Sequence, residues 1–474
     1  MAKIGAMMDV GKRSLMNSQT GLQTVAHNIA SKDVEGFSRQ RVEFQTNVPI
    51  GEGKVRIGMG ARAGLVTRTS NPFLEKQIQG EQSKLGMSEA RAEHLMRLES
   101  VFNEQMGKGL NKFVVEFFNA FRELANNPES QATRATVQET AAAVTRDFQR
   151  VHRQVRDVQS DIDRQIETRV GEINQLAKGI AQMNESIASV EVQGIPANDE
   201  RDRRDQMLKE LGQKINIKYI EGDNGQVIVN VGQSALLVSG NEYNQLGVQG
   251  SDGSGGVRYG LSDIILKVGK DGPVSKVTSQ VVGGQLGGVL DVRDKIAEDI
   301  LKNVDALAFT IADEVNAIHE QGFDSYGTQG QPFFDLDGSI KDFSGRIRLS
   351  DLVSDDPQRI AASGAPDSPG DNRVANRISK LQFEKVMNDR TSTVDDFFNG
   401  TIGQLAVKTK QAETFHEHQK NVVGQLKNMR ESVSGVSLDE EATKMIEFQK
   451  TFDASARVIR TADEMFDTVL SLKR

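Results

Sequence analysis

The sequence has no cysteine, no tryptophan and no run of about eighteen apolar residues. Without cysteine there is no disulfide, no thiolate nucleophile and no thiolate metal site. Without the apolar run no membrane-spanning helix is expected, and the opening of the chain lacks the apolar core of a signal peptide. The phosphate-binding loop, the H-E-x-x-H metal pair and the G-x-S-x-G elbow are missing too. The six histidines, His27, His94, His152, His319, His416 and His418, all fall in expected helices. His416 and His418 are two apart, so they project from opposite sides of one helix and cannot share a metal. Catalysis is therefore not expected, and neither is a cofactor.

What is present is a polar chain. Lys and Arg number 58 against 66 Asp and Glu, a net charge of -8 that points to no nucleic-acid partner. At 474 residues and 37% hydrophobic content, several domains with cores are affordable, with helices that carry narrow seams.

The clearest seam lies at the end of the chain. Ala442, Met445, Gln449, Phe452, Ala456, Ile459, Asp463, Phe466 and Leu470 alternate steps of three and four, a heptad stripe interrupted only at Gln449 and Asp463. Ser437 before Leu438, with Glu440 three residues on, reads as a capping box. The opening of the chain carries a matching ladder of Met8, Gly11, Leu15, Ser18, Leu22, Val25 and Ile29. A single seam cannot bury itself, so the two ends are expected to meet. Seams this narrow bury too little to offset about 1.5 kcal/mol of ordering entropy per residue, so the ends are expected to be mobile until neighbouring subunits cover them.

Between the ends, a glycine-punctuated stretch up to residue 70 reads as short strands or a ribbon. Gly58-Met59-Gly60-Ala61-Arg62-Ala63 fits a loose dinucleotide fingerprint, but it leads into a strand-like run and gives no helix N-terminus for a phosphate. Asn71-Pro72 opens a helix that Gly107 and Gly109 stop. Leu110, Phe113, Val114, Phe117, Phe121 and Leu124 follow as the best candidate core. From Val137 to Ile180 the three-four pattern is broken only by a stutter at Ile162, Ile166 and Val170, which predicts one helix on the order of 90 Å long. The charged segment Asn198 to Gly212 reads as a helix with a solvated face.

The composition then shifts to β-branched runs at Val227 to Val231, Ala235 to Val238 and Ile264 to Val268. They are separated by the turn signals Asn224-Gly225, Asp252-Gly253 and Asp271-Gly272. Helical patterning returns at Leu290, residues 323–372 read as loop with a strand near Arg346 to Leu349, and two more helices precede the final seam. Asp335-Leu336-Asp337-Gly338 lacks the ligand ladder of a calcium loop and reads as a turn. The expected fold class is mainly α with a β insert: a terminal coiled-coil stem with linker (1–70 and 430–474), a discontinuous long-helix bundle (71–215 and 284–429) and an inserted β domain (216–283).

Two stretches carry more than periodicity. Ala26-His27-Asn28-Ile29-Ala30-Ser31-Lys32-Asp33-Val34-Glu35-Gly36-Phe37-Ser38-Arg39-Gln40 resembles the N-terminal signature of flagellar axial proteins, with His27, Ser31 and Asp33 where those usually have Asn. Ser434-Gly435-Val436-Ser437-Leu438-Asp439-Glu440-Glu441-Ala442, followed by Phe448-Gln449 and Ala454-Ser455-Ala456-Arg457-Val458-Ile459, is similar to the C-terminal signature of the flagellar hook-associated protein 1 family. The resemblance implies a structural subunit of the junction between hook and filament, a tubular homo-oligomer. Its implied partners are the hook protein, hook-associated protein 3 and a cytoplasmic export chaperone. It also implies an extracellular flagellar location reached by type III export without a cleaved signal. The implied assembly residues are Leu15, Leu22, Val25, Asn28, Ile29, Gly36, Phe37, Arg39, Leu438, Met445, Phe452, Ile459, Phe466 and Leu470. Another axial protein of the hook-associated protein 3 or flagellin type, or a secreted coiled-coil adhesin or effector, remains an alternative at this point.

Overall fold

The computed structural model describes residues 2–52, 55–102, 109–253, 260–269 and 272–471. Helix α1 (Ala2–Ala30) ends in a turn through Gly36, whose φ of +85° favours glycine. A ribbon follows in which β1 (Gln40–Thr46) pairs antiparallel with β4 (Ala61–Arg68), and β2 (Ile50–Glu52) with β3 (Val55–Ile57). The glycine fingerprint at Gly58 thus runs into a strand. Asn71 then caps α2 (Pro72–Phe102), its Oδ1 accepting from the amides of Phe73 and Leu74 at 3.1 and 3.3 Å. Gly107, an expected helix stop, lies outside the described residues.

Helix α3 (Leu110–Asn126) buries Leu110, Val114, Phe117, Phe121 and Leu124, and the later loop brings Phe333 onto the same ring cluster, 5.9 Å from Phe117 and 5.7 Å from Phe121. Helix α4 (Gln131–Glu191) is a single run of 61 residues, begun by Ser130, whose Oγ accepts from the Thr133 amide. Its seam is buried from Val137 to Ile180, the stutter included, with only Val158 half-buried. Helix α5 (Asn198–Lys214) packs on α4 and α2. It departs from the sequence reading: Asp202, Arg204 and Lys209 are buried, not solvated. Alternating charge marks a solvated face only when no opposite charge is brought to it, and here several are.

Two small antiparallel sheets lie against α4. One runs β5 (Ile217–Glu221), β6 (Val227–Val231), β7 (Ala235–Ser239) and β8 (Glu242–Tyr243), with Asn224-Gly225 as its first turn and Gly225 at φ +74°. The other has β10 (Ser262–Lys267) between β9 (Gln245–Gly250) and β11 (Val274–Lys276). Asp271 of the third expected turn lies outside the described residues. Two asparagines on α4 hold these sheets. Asn184 Nδ2 donates to the Val227 and Gly240 carbonyls at 2.9 and 2.7 Å, and Asn174 exchanges two 2.8 Å bonds with the backbone of Leu246. The apolar faces of the strands join the helices in one continuous buried cluster.

Helix α6 (Gly284–Asp291) passes through a π-turn at Val292–Ile296 into α7 (Ala297–His319). The expected strand at Arg346 to Leu349 is only an isolated bridge between Phe334 and Leu349, since loop backbone here is claimed by turns. After the short helices α8 (Asp351–Asp355) and α9 (Arg373–Lys380), a capping box of Thr393 and Asp396 starts α10 (Val394–Ser434). It lays Leu405, Thr409, Ala412, Val423 and Leu426 inward and runs antiparallel to α2, with Gln419 near Glu81 and Arg430 on Glu75. Helix α11 (Leu438–Ser471) closes the described chain against α1.

Candidate functional site

The two chain ends pair antiparallel: Gly11 faces Ile459, Gly21 faces Phe448, and Ser455 Oγ donates to Ser14 Oγ at 2.7 Å. The contact line on α1 is Gly11, Ser14, Ser18, Gly21, Val25 and Asn28, mostly small residues. A Cβ on Gly11 would lie 2.8 Å from Ile459 Cγ1, and one on Gly21 would lie 2.7 Å from the Phe448 ring, so the helices are too close for any larger residue. On α11 the buried positions are Glu441, Ser455 and Ala462, with Phe448 half-buried, one residue ahead of the expected Ala442, Gln449, Ala456 and Asp463. A tight small-residue contact rotates both helices away from their most apolar line.

The residues singled out from the sequence divide accordingly. Val25, Asn28 and Phe37 are buried. Leu15, Leu22, Ile29, Gly36, Arg39, Met445, Phe452, Ile459 and Phe466 are half-buried, while Leu438 and Leu470 are exposed. The apolar line is thus only partly used within one chain, and Met7, Met16, Ile446 and Met465 add further exposed apolar surface beside it.

At the root of the stem the N-terminal signature folds into a polar anchor. Asn28 Nδ2 donates to the Gln40 carbonyl at 2.8 Å and to Glu441 Oε2 at 3.0 Å, and its Oδ1 accepts the Gln40 amide at 2.9 Å. Arg39 forks onto both acids of the C-terminal signature, reaching Glu441 Oε1 at 2.8 Å and Glu440 Oε2 at 2.7 Å. Glu440 is therefore spent on Arg39. The Arg39 amide donates to the Ser434 carbonyl at 2.8 Å.

The same turn is tied to the body. The Ser38 amide donates to Asp202 Oδ2 at 2.7 Å, Asp202 also takes Arg68 at 2.6 Å, and Gln40 Nε2 donates to Asp199 at 2.7 Å. Arg430 donates to the Gly36 carbonyl at 2.7 Å and lies 3.3 Å from Glu75, which takes Lys209 at 2.6 Å. Burial alone would raise the Glu75 carboxyl, but Lys209 and Arg430 outweigh it and hold the group below its ordinary value. His27 packs edge-on to Phe37 with ring centroids 5.4 Å apart.

Sequence reasoning missed Glu75, Asp202, Lys209 and Arg430. Their burial comes from opposite charges brought together from α2, α5 and α10, a pairing that is visible only once partners are known.

The chemistry of this site is cohesion. Among the described residues, one group could hold a metal: His152, Asp305 and Asp342. The Arg156 guanidinium already sits on Asp342 at 2.6 Å, and Asp305 accepts the amides of Asp342 and Ser344 at 2.8 and 3.0 Å. Ser344, 2.9 Å from His152 Nδ1, is fully buried, and its hydroxyl donates to Asp305. The group therefore clamps a loop. No helix among the described residues is long and apolar enough to cross a membrane.

A family model described as "Flagellar hook-associated protein FlgK helical domain" matches residues 95–334, and one described as "Flagellar basal body rod FlgEFG protein C-terminal" matches residues 430–472. Flagellar hook-associated protein 1 of Bacillus subtilis is 26% identical over 499 aligned positions, covering 98% of this chain and 97% of its own length. The protein of that name from Escherichia coli is 23% identical, covering 99% of this chain and 100% of its own. The solved structure of the flagellar hook junction protein FlgK from Burkholderia pseudomallei covers 76% of this chain and 100% of its own, with a TM-score of 0.68 and 16% identity, a likeness of fold.

Proposed function

Because this chain belongs to the flagellar hook-associated protein FlgK family, we propose that it is a structural subunit of the zone joining hook to filament and that its paired ends carry the assembly. The observation that carries the second half is the stem itself. Two helices from opposite ends of the sequence are anchored through Asn28, Arg39 and Glu441, yet they leave the apolar residues Leu438, Ile446, Met465 and Leu470 exposed. Exposed apolar surface of that kind, left outside the contacts with the other stem helix and the β1–β4 ribbon, is surface for neighbouring copies. The fold supports the reading further, since a 61-residue rod is a spacer and packing element.

The partners that follow are a tubular ring of the same chain, the hook protein on one side and hook-associated protein 3 on the other, with a cytoplasmic chaperone before export. The ends tighten when neighbours cover them. Hydrogen exchange on the isolated full-length chain tests this last point: strong protection of the Phe452 and Ile459 amides before assembly would count against it. The function itself is tested by removing the codons after Leu438 in the native organism. Loss of filament attachment and of swimming is expected, with flagellin released unpolymerised. Intact filaments on such cells would point to an adhesin or effector instead.

A further inference from the structure

Helix α10 presents a second face whose composition sets it apart. From Gly400 to Val433, at 100° per residue, a 120° arc of the outward side contains no Asp, Glu, Lys or Arg across about nine turns. Val407, Phe415, Met429 and Val433 lie on it, 56%, 51%, 56% and 45% exposed, and Gly, Gln, Thr, Asn and Ser fill nearly all the rest around His418. In a chain that is 26% charged, an exposed helix face of that length should carry several charges. Charges do occur on the flanks of the same helix, at Lys408, Lys410, Glu417 and Lys420. The opposite side is already committed to α2. Water tolerates charge readily, so its exclusion from one arc marks a surface that meets protein.

We infer that this arc is the body-to-body contact with a second copy of the chain in the assembled zone. Three features select that occupant. The chain carries a net charge of -8, so two copies repel wherever their acidic surfaces approach, and they meet at least electrostatic cost along a neutral strip. The amide and hydroxyl side chains both donate and accept, so a surface of like composition satisfies them without desolvating a charge.

The third feature is position. The arc ends at Val433, beside the Arg430 anchor, and within five residues the chain enters the stem helix, where Leu438 and Ile446 are exposed, so arc and stem surface are neighbours along the chain. A strip about 50 Å long and one helix wide covers ~500 Å² per partner, below the ~800 Å² typical of a stable pair. It is too small to dimerise the free chain and large enough to add to stem contacts once these form.

The inference rests on the assembly reading above. Because the chain has no cysteine, His418→Cys gives a single attachment point for a maleimide-benzophenone on the full-length protein. Assembled hook-filament particles carrying it should yield, on irradiation, a cross-linked dimer of this chain. The same probe at Thr168→Cys, exposed on α4, should yield at least tenfold less. In parallel, Val407→Glu with Gln425→Glu should leave the melting temperature of the free chain unchanged and abolish swimming. Cross-linking from position 418 to flagellin, hook protein or a chaperone, or none at all in assembled particles, overturns the inference. If the unmodified chain is absent from the hook-filament zone, the assembly reading falls and this inference with it.

Discussion

Asn28 and Glu441 are 413 positions apart in the sequence and 3.0 Å apart in the fold, where the asparagine amide donates to the carboxylate. Both are 1% exposed, and Asn28 also holds both backbone groups of Gln40. Asn28→Ala leaves a buried carboxylate oxygen and two backbone groups short of a partner, a loss of about 2–4 kcal/mol in stem docking. Asn28→Asp should be worse, since it sets a second carboxylate against Glu441. The check is hydrogen exchange at the Gln40 amide, which should quicken in the order native, Ala, Asp while α4 amides stay unchanged. An Asp variant that matches the native protein would show the anchor to be incidental.

The closeness of α1 and α11 gives a prediction with opposed terms. Gly11→Leu and Gly21→Leu each raise intrinsic helix propensity by roughly 1 kcal/mol. They also drive a side chain into Ile459 and Phe448, and overpacking costs about 1–3 kcal/mol. The packing loss should win, so the double variant should show faster exchange at Ser455 and Ala462 despite the better helix formers. Slower exchange there would mean that the helices are held by propensity and not by contact.

Much of this architecture was legible because helices of this length write their seams in the sequence. The α4 ladder and the Asn71 cap stand where periodicity and capping chemistry placed them. What stayed hidden depends on partners. The stem seam turned by one residue because glycine and serine, silent in a hydrophobic count, decide how near two helices come. Asp202 and Lys209 read as solvated because a charge is buried only when its counter-charge arrives, and Arg68 and Glu75 come from far along the chain.

His319 makes the loop after α7 sensitive to acid. Its ring is fully buried, with Nδ1 2.6 Å from the Gln331 carbonyl and Nε2 accepting the Ala361 amide at 2.8 Å. Burial pushes its pKa down to about 4, from 6.5 for a free histidine. The unfolded chain therefore takes up the proton first. This contribution is intact above pH 6.5, shrinks as pH falls towards 4, and amounts to about 3 kcal/mol when fully lost. Urea titrations at pH 7, 5.5 and 4 should show a steeper fall for the native chain than for His319→Gln, whose amide can make both contacts without titrating. Parallel pH profiles would remove His319 as the cause.

Arg293 joins three parts of the body at a point closed to bulk solvent. Its side chain is fully buried, its Nη1 donates to Asp163 and to the Ser262 carbonyl, and its Nε pairs with Asp294 at 2.6 Å. Asp163 in turn accepts the Ser262 amide and hydroxyl at 3.0 and 2.8 Å, so α4, the π-turn and β10 share one charge network. Arg293→Met keeps the bulk but leaves two carboxylates without their cation, a loss of about 3–5 kcal/mol. Adding Asp163→Asn should recover part of it, because one uncompensated charge disappears. Equilibrium unfolding in urea measures both, and exchange at Ile264 and Leu266 should rise first, since β10 then loses its tie to the π-turn through the Ser262 carbonyl and keeps only Asp163 as its polar link to α4. A single variant within about 1 kcal/mol of native would show that the three elements hold together by apolar packing without the guanidinium.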